Sequence, residues 1–226
     1  MKRNLNIKTE VVRRDSNFKL TPKNANQRML LEAINDFEIT VALGPAGTGK
    51  TFCSASKVAQ LFLSGRYESI VLSRANVPTG RSLGAFPGTV EDKLAPWLMP
   101  ITSVLQKQFG NVKYADLISR KMIQMQPLET IRGRSFENAL VIVDEAQNLT
   151  FEEIKAVTTR LGEGSKMILS GDASQSDVHN GNGIMRFCSL CEKNDIEIPI
   201  VMFTVDDVVR SDIVGALVKM FVRENV

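Results

Sequence analysis

The stretch Gly44-Pro45-Ala46-Gly47-Thr48-Gly49-Lys50-Thr51 limits what this chain can fold into more than any other eight residues. It directly follows Ile39-Thr40-Val41-Ala42-Leu43, a short apolar run that reads as a buried strand, and it opens the helical pattern Thr51 to Ser64. The glycines let the backbone curl so that its N–H groups converge, and the helix that follows brings the positive end of its dipole to the same place. Phosphate oxygens are the ligand such a loop suits, and the G-x-x-x-x-G-K-T spacing adds an ammonium and a hydroxyl beside them. The cofactors expected are a nucleoside triphosphate and Mg2+, with ATP favoured over GTP because no Asn/Thr-Lys-x-Asp guanine motif is present. Lys50 is expected to reach the β and γ phosphates and the Thr51 hydroxyl to ligate Mg2+, with Gly44 to Thr51 and the adjoining Phe52 forming the nucleotide-binding stretch.

Four further apolar runs read as strands: Ser69 to Leu72, Leu140 to Val143, Met167 to Leu169 and Ile200 to Phe203. Their apolarity is continuous rather than alternating, which indicates strands covered on both faces, as in a parallel sheet. Helical patterns at Asn26 to Asn35, Thr150 to Leu161, Ile184 to Lys193 and Asp212 to Arg223 lie between or beyond them. Thr150 and Glu153 have capping-box spacing. The expected fold is α/β, a doubly wound, mainly parallel sheet.

The interval 90–138 breaks the rhythm. Pro96, Pro100 and Pro127 punctuate two expected helices, Leu98 to Phe109 and Tyr114 to Lys121, before a short strand at Met122 to Met125. It reads as a helical insertion between the second and third core strands. With 226 residues, 43% hydrophobic, the chain suits one core, divided as a basic arm at 1–18 and a single domain at 19–226. Residues 1–28 hold eight Lys or Arg against Glu10 and Asp15, a local charge of +6 in a chain of +3 overall. Such a segment contacts phosphate backbones or is simply a solvated terminus, and composition leaves both open. Cys53, Cys188 and Cys191, with His179 the single histidine, make neither a disulfide framework nor a zinc site. No apolar run reaches bilayer length and the start lacks a secretory pattern, so a cytoplasmic protein with no membrane partner is expected.

Asp144 and Glu145 end the third core strand, in Val141-Ile142-Val143-Asp144-Glu145-Ala146-Gln147-Asn148. The carboxyl ends of parallel strands are where ligands bind. Asp144 is expected to hold the metal through its water shell, and Glu145 to act as general base toward water, which favours hydrolysis over transfer to a hydroxyl. Ser170-Gly171-Asp172-Ala173-Ser174-Gln175 ends the fourth strand. If that strand lies between the other two, Gln175 senses the γ-phosphate and Asp172 supports the network. Gln27, at the front of the first helix, either reads the adenine edge or is an exposed helical glutamine.

These motifs together resemble the PhoH family of ATPases. The resemblance runs from Lys19 to the C-terminus and is carried by the Gln27 segment, Gly44 to Thr51, the stretch Ser73 to Gly88, Ile131 to Asn148, Thr159 to Gln175 and Phe203 to Gly215. The compact length is similar to that of phage-borne members. It implies a RecA-like P-loop NTPase core, ATP hydrolysis, a homo-oligomer of hexameric ring form and a role in RNA metabolism. Longer members carry a fused nuclease domain, for which this length leaves no room. The family pattern has an acid where Arg81 stands, and Arg74 is followed by Ala75-Asn76-Val77 rather than by Pro-Ala-Val.

A core with one RecA-like domain needs an arginine from within the chain or from a neighbour to complete its ATP site. Arg210, after the fifth strand, is the expected in-chain sensor, and Arg134 or Arg160 the expected trans finger, with Arg132 a further candidate. Related motors carry a strand-contacting motif where Ser73 to Gly88 stands, so Arg74 and Arg81 are expected to contact single-stranded RNA or DNA. The leading expectation is an oligomeric Mg-dependent ATPase that binds or remodels single-stranded nucleic acid. The alternative is an ATP-dependent protein switch or scaffold with slow hydrolysis and no nucleic-acid substrate.

Overall fold

A computed structural model describes residues 20–75, 90–131, 133–172, 183–210, 213–217 and 220. The chain runs α1 (Ala25–Asp36), β1 (Ile39–Leu43), α2 (Lys50–Leu63), β2 (Ser69–Arg74), α3 (Val90–Phe109), α4 (Asn111–Ser119) and β3 (Ile123–Met125). It continues through α5 (Leu128–Ile131), β4 (Ala139–Asp144), α6 (Phe151–Thr158), β5 (Lys166–Gly171), α7 (Gly183–Lys193) and β6 (Ile200–Met202). Among the described residues six strands pair in parallel, in the order β3-β2-β4-β5-β1-β6. This is the doubly wound α/β sheet expected, and β5 does lie between β1 and β4.

The continuous apolar runs have a simple explanation in the packing. In β4, Leu140 and Ile142 face one core, formed with α1 to α4, while Val141 and Val143 face the other, formed with α5 to α7. Ile70 and Leu72 of β2 likewise face the first core and Val71 the second. A strand buried on both sides has no polar face to alternate with. The parallel pairing then brings the carboxyl ends of β1, β2, β4 and β5 to one edge.

The insertion differs from expectation in its helix bounds and in the added α5. α3 begins at Val90 rather than Leu98 and carries Pro96 and Pro100 inside it. Two interior prolines cost a helix roughly 6 kcal/mol. Leu94, Leu98, Ile101, Leu105 and Phe109 recur on one buried stripe that packs on α2, and burying five such side chains contributes roughly 10 kcal/mol. Packing therefore outweighs the prolines. α4 ends at Ser119 because Lys121 adopts φ +56° and the N–H groups of Lys121 and Met122 return to the carbonyls of Ile118 and Leu117, a Schellman closure. Near the C-terminus, 213–217 is helical within the expected helix. Among the described residues no helix is long and apolar enough to cross a membrane.

Candidate active site

The loop from Gly44 to Gly49 leaves β1 and turns into α2. Gly49, the N-cap of α2, has φ +89°, and a side chain there would meet the Gln27 amide nitrogen at 2.7 Å. Glycine is required on both counts. At Gly47, φ is +85° and an added Cβ would press on Arg210 Cγ at 3.1 Å, so the loop and the Arg210 stem are in contact. The Val209 N–H donates to Gly47 O at 3.0 Å, which ties the segment after β6 to the same loop.

Lys50 is 8% exposed and its ammonium donates to the carbonyls of Gly44 at 2.5 Å and Pro45 at 2.8 Å. Burial lowers its pKa, opposed by the charges of Asp172, Asp144 and Glu145. Those three carboxylates come from the ends of β4 and β5, across the same cleft of about 490 Å³. Thr51, Phe52, Arg74 and Arg210 also line it. Asp144 is 7% exposed, and burial pushes its carboxyl up to about 6. Arg74 and Lys50 pull the other way, while Glu145 adds to the rise.

Glu145 follows β4 at φ +54°, a left-handed conformation that a non-glycine residue keeps only when its surroundings hold it there. Both carboxylate oxygens are engaged: Arg74 Nη2 donates to Oε1 at 2.9 Å, and Gln147 Nε2 donates to Oε2 at 2.6 Å. Gln147 Oε1 accepts the Asp172 N–H at 3.0 Å, so one buried side chain joins the end of β4 to the end of β5. Gln147 was not singled out from the sequence. Its position two residues after Glu145, where the strand turns into a short 3-10 helix at Ala146–Asn148, is the signal that could have found it.

Arg74, expected to contact nucleic acid, lies in the cleft. Strand β2 extends two residues past Leu72, and its register sets Arg74 opposite Asp144. The guanidinium therefore turns into the cleft, with Nη1 3.4 Å from Asp144 Oδ2 and Nη2 on Glu145. Gln27 is not an exposed helical glutamine: it is 4% exposed, donates to Thr48 O at 2.9 Å and accepts the Lys23 N–H at 2.8 Å. Its amide holds the loop from behind, so an adenine contact would require it to leave Thr48. Arg134 and Arg160 precede the amino ends of β4 and β5, away from this chain's own cleft. Gln175, Arg81, Arg132 and the basic arm lie outside the described residues.

A family model for PhoH-like protein matches residues 19–222. The chain belongs to the PhoH-like family. Within it, the chain is 38% identical to a PhoH-like protein of Synechocystis over 90% of its own length and 62% of the relative's. It is 34% identical to a PhoH-like protein of Bacillus subtilis over 96% of the chain and 68% of the relative, and 35% identical to Protein PhoH of Escherichia coli over 84% and 54%. This PhoH-like chain thus spans between about half and two thirds of these relatives' lengths. Its fold is similar to that of the large terminase from a thermophilic bacteriophage, with TM-score 0.56 and 13% identity over 88% of this chain and 50% of that one. A crystal form of the same terminase in complex with ADP gives TM-score 0.53 at 14% identity, with the same coverage. The likeness is one of fold, a parallel sheet with helices on both faces.

Proposed function

We propose that this PhoH-like chain is a Mg-dependent ATP hydrolase that works as a homo-oligomer on single-stranded nucleic acid, RNA in the first place. The observation that carries the hydrolase reading is the meeting of Lys50, Thr51, Asp144 and Glu145 in one cleft, with the end of β5 between them. The donors suit the ions: glycine-permitted backbone for phosphate, and a hydroxyl with a carboxylate, hard oxygen ligands, for Mg2+. When bound, Mg2+ neutralises charge on the phosphate oxygens.

The chain's own residues would do the rest. Lys50 exchanges its loop carbonyls for phosphate oxygens, a short movement since Gly44 and Pro45 border the phosphate cradle. Thr51 and Asp144 hold the metal. Glu145 takes a proton from water on a carboxylate oxygen, and Arg210, against Gly47, meets the charge that develops on the phosphoryl group. Gln175, three residues after Asp172 in the sequence, serves as the γ-phosphate sensor. An arginine from a second copy, Arg134 or Arg160, completes the site. The nucleic-acid reading is supported by the +6 charge of residues 1–28 and by Arg81.

ATP turnover measured across protein concentrations, with single-stranded RNA and with DNA of equal length, tests this. The expected result is Mg-dependent turnover whose rate per subunit rises with concentration and is stimulated by RNA, the stimulation fading with added salt. Turnover indifferent to nucleic acid at low salt would leave the protein-switch alternative standing.

A further inference from the structure

Arg74 is engaged far more heavily than a surface ion pair requires. Its guanidinium, on a side chain 18% exposed, spans three acceptors on two elements. Nη2 reaches Glu145 Oε1 at 2.9 Å, and Nη1 reaches both Asp144 Oδ2 at 3.4 Å and the carbonyl of Trp97, in α3, at 2.9 Å. Spanning them leaves Nε buried without a hydrogen-bond partner among the described residues. An arginine free to optimise its own bonding would not strand a buried donor.

We propose that Arg74 is a positioning residue for hydrolysis, fixing the Glu145 carboxylate against α3 so that the base stands at one place and angle in the cleft. This rests on the reading of Glu145 as the base. Each carboxylate oxygen has two acceptor positions. With Arg74 on one oxygen and Gln147 on the other, the plane of the carboxylate is set and each oxygen keeps an acceptor position for water. The left-handed backbone at Glu145 needs such a hold, since nothing in the local chain preference keeps it there. Trp97 supplies the fixed point. Its carbonyl belongs to α3, whose stripe of Leu94, Leu98 and Ile101 is fully buried, so Arg74 is braced against the core rather than against solvent. A lysine has one charged centre and cannot span the three acceptors.

The test compares Arg74→Gln, Arg74→Lys and Glu145→Gln in the full chain at saturating Mg2+, reading kcat and KM for ATP and the affinity for a fluorescent ATP analogue. Arg74→Gln is expected to lower kcat about a hundredfold, the usual effect of displacing a catalytic group by about an ångström, with KM and analogue affinity within about threefold of the parent. Arg74→Lys should recover less than about tenfold of that loss. The inference is overturned if Arg74→Gln keeps or raises kcat, if it loses analogue binding together with turnover, or if lysine restores the full rate. Glu145→Gln keeps the two readings apart. If it turns over like the parent, the base assignment itself fails; if it is inactive while Arg74→Gln is not, the fault lies with Arg74 alone.

Discussion

Asp144 shows what one buried carboxyl does to this molecule. Its ordinary value of 3.8 rises to about 6 because the site excludes water, despite Arg74 and Lys50 close by. The folded chain therefore holds a proton at pH values where the unfolded chain has released it. Stability is lost as pH rises from about 4 to about 6, and above that window the charged carboxylate burdens the ligand-free fold by on the order of 3 kcal/mol. Asp144→Asn removes the charge. It is expected to unfold at higher temperature than the parent at pH 8, with the difference shrinking as pH falls below about 6, as thermal melts across pH will show. A difference that does not change with pH would mean that the carboxylate is not strained by burial. Both Asp144 and Glu145 were legible as residues because an acidic pair ending an apolar run is rare. The cleft position of Arg74 was not legible because nothing in the sequence says where β2 ends, and two further residues of strand carry it there.

At the scale of elements, the phosphate loop depends on a junction that the sequence hardly announces. Asp207, in the short 3-10 helix Val205–Asp207 after β6, is 8% exposed. Its Oδ2 accepts from Asn26 Nδ2 at 2.7 Å, the Thr204 N–H at 2.8 Å and the Thr204 hydroxyl at 3.3 Å. Its carbonyl accepts from Asn24, whose own side chain caps α1 at the Gln27 N–H. One carboxylate thus clamps α1, which holds the loop through Gln27, to the segment that holds it through Val209. Asp207→Ala leaves these donors without their acceptor, at about 1–3 kcal/mol. A chain of this size should then melt roughly 3–10 °C lower, and bind nucleotide more weakly because the loop loses both supports. Unchanged nucleotide affinity in a destabilised variant would confine Asp207 to stability. The strands and most helices were legible, since buried parallel strands write unbroken apolar runs. α3 was not fully so, because the proline rule is local and the stripe that overrides it is satisfied only against α2.

Across the whole molecule, the sheet order turns separated motifs into one site. Residues 44–51, 74, 144–147 and 170–172 are far apart in sequence, and the order β2-β4-β5-β1 sets their carboxyl ends side by side. The phosphate loop and the acidic pair were readable because each is local. The Glu145–Gln147–Asp172 bridge and the Arg74 contacts exist only across strands, so single-sequence pattern could not supply them. On the proposed reading, this shared edge binds ATP through Lys50 and hydrolyses it through Glu145. Nucleotide affinity and steady-state turnover, measured together on the parent chain, Lys50→Ala and Glu145→Gln, test it most directly. Lys50→Ala is expected to lose binding and turnover, while Glu145→Gln keeps ATP bound and turns over at least about a hundredfold more slowly. Parental turnover in Glu145→Gln would contradict it.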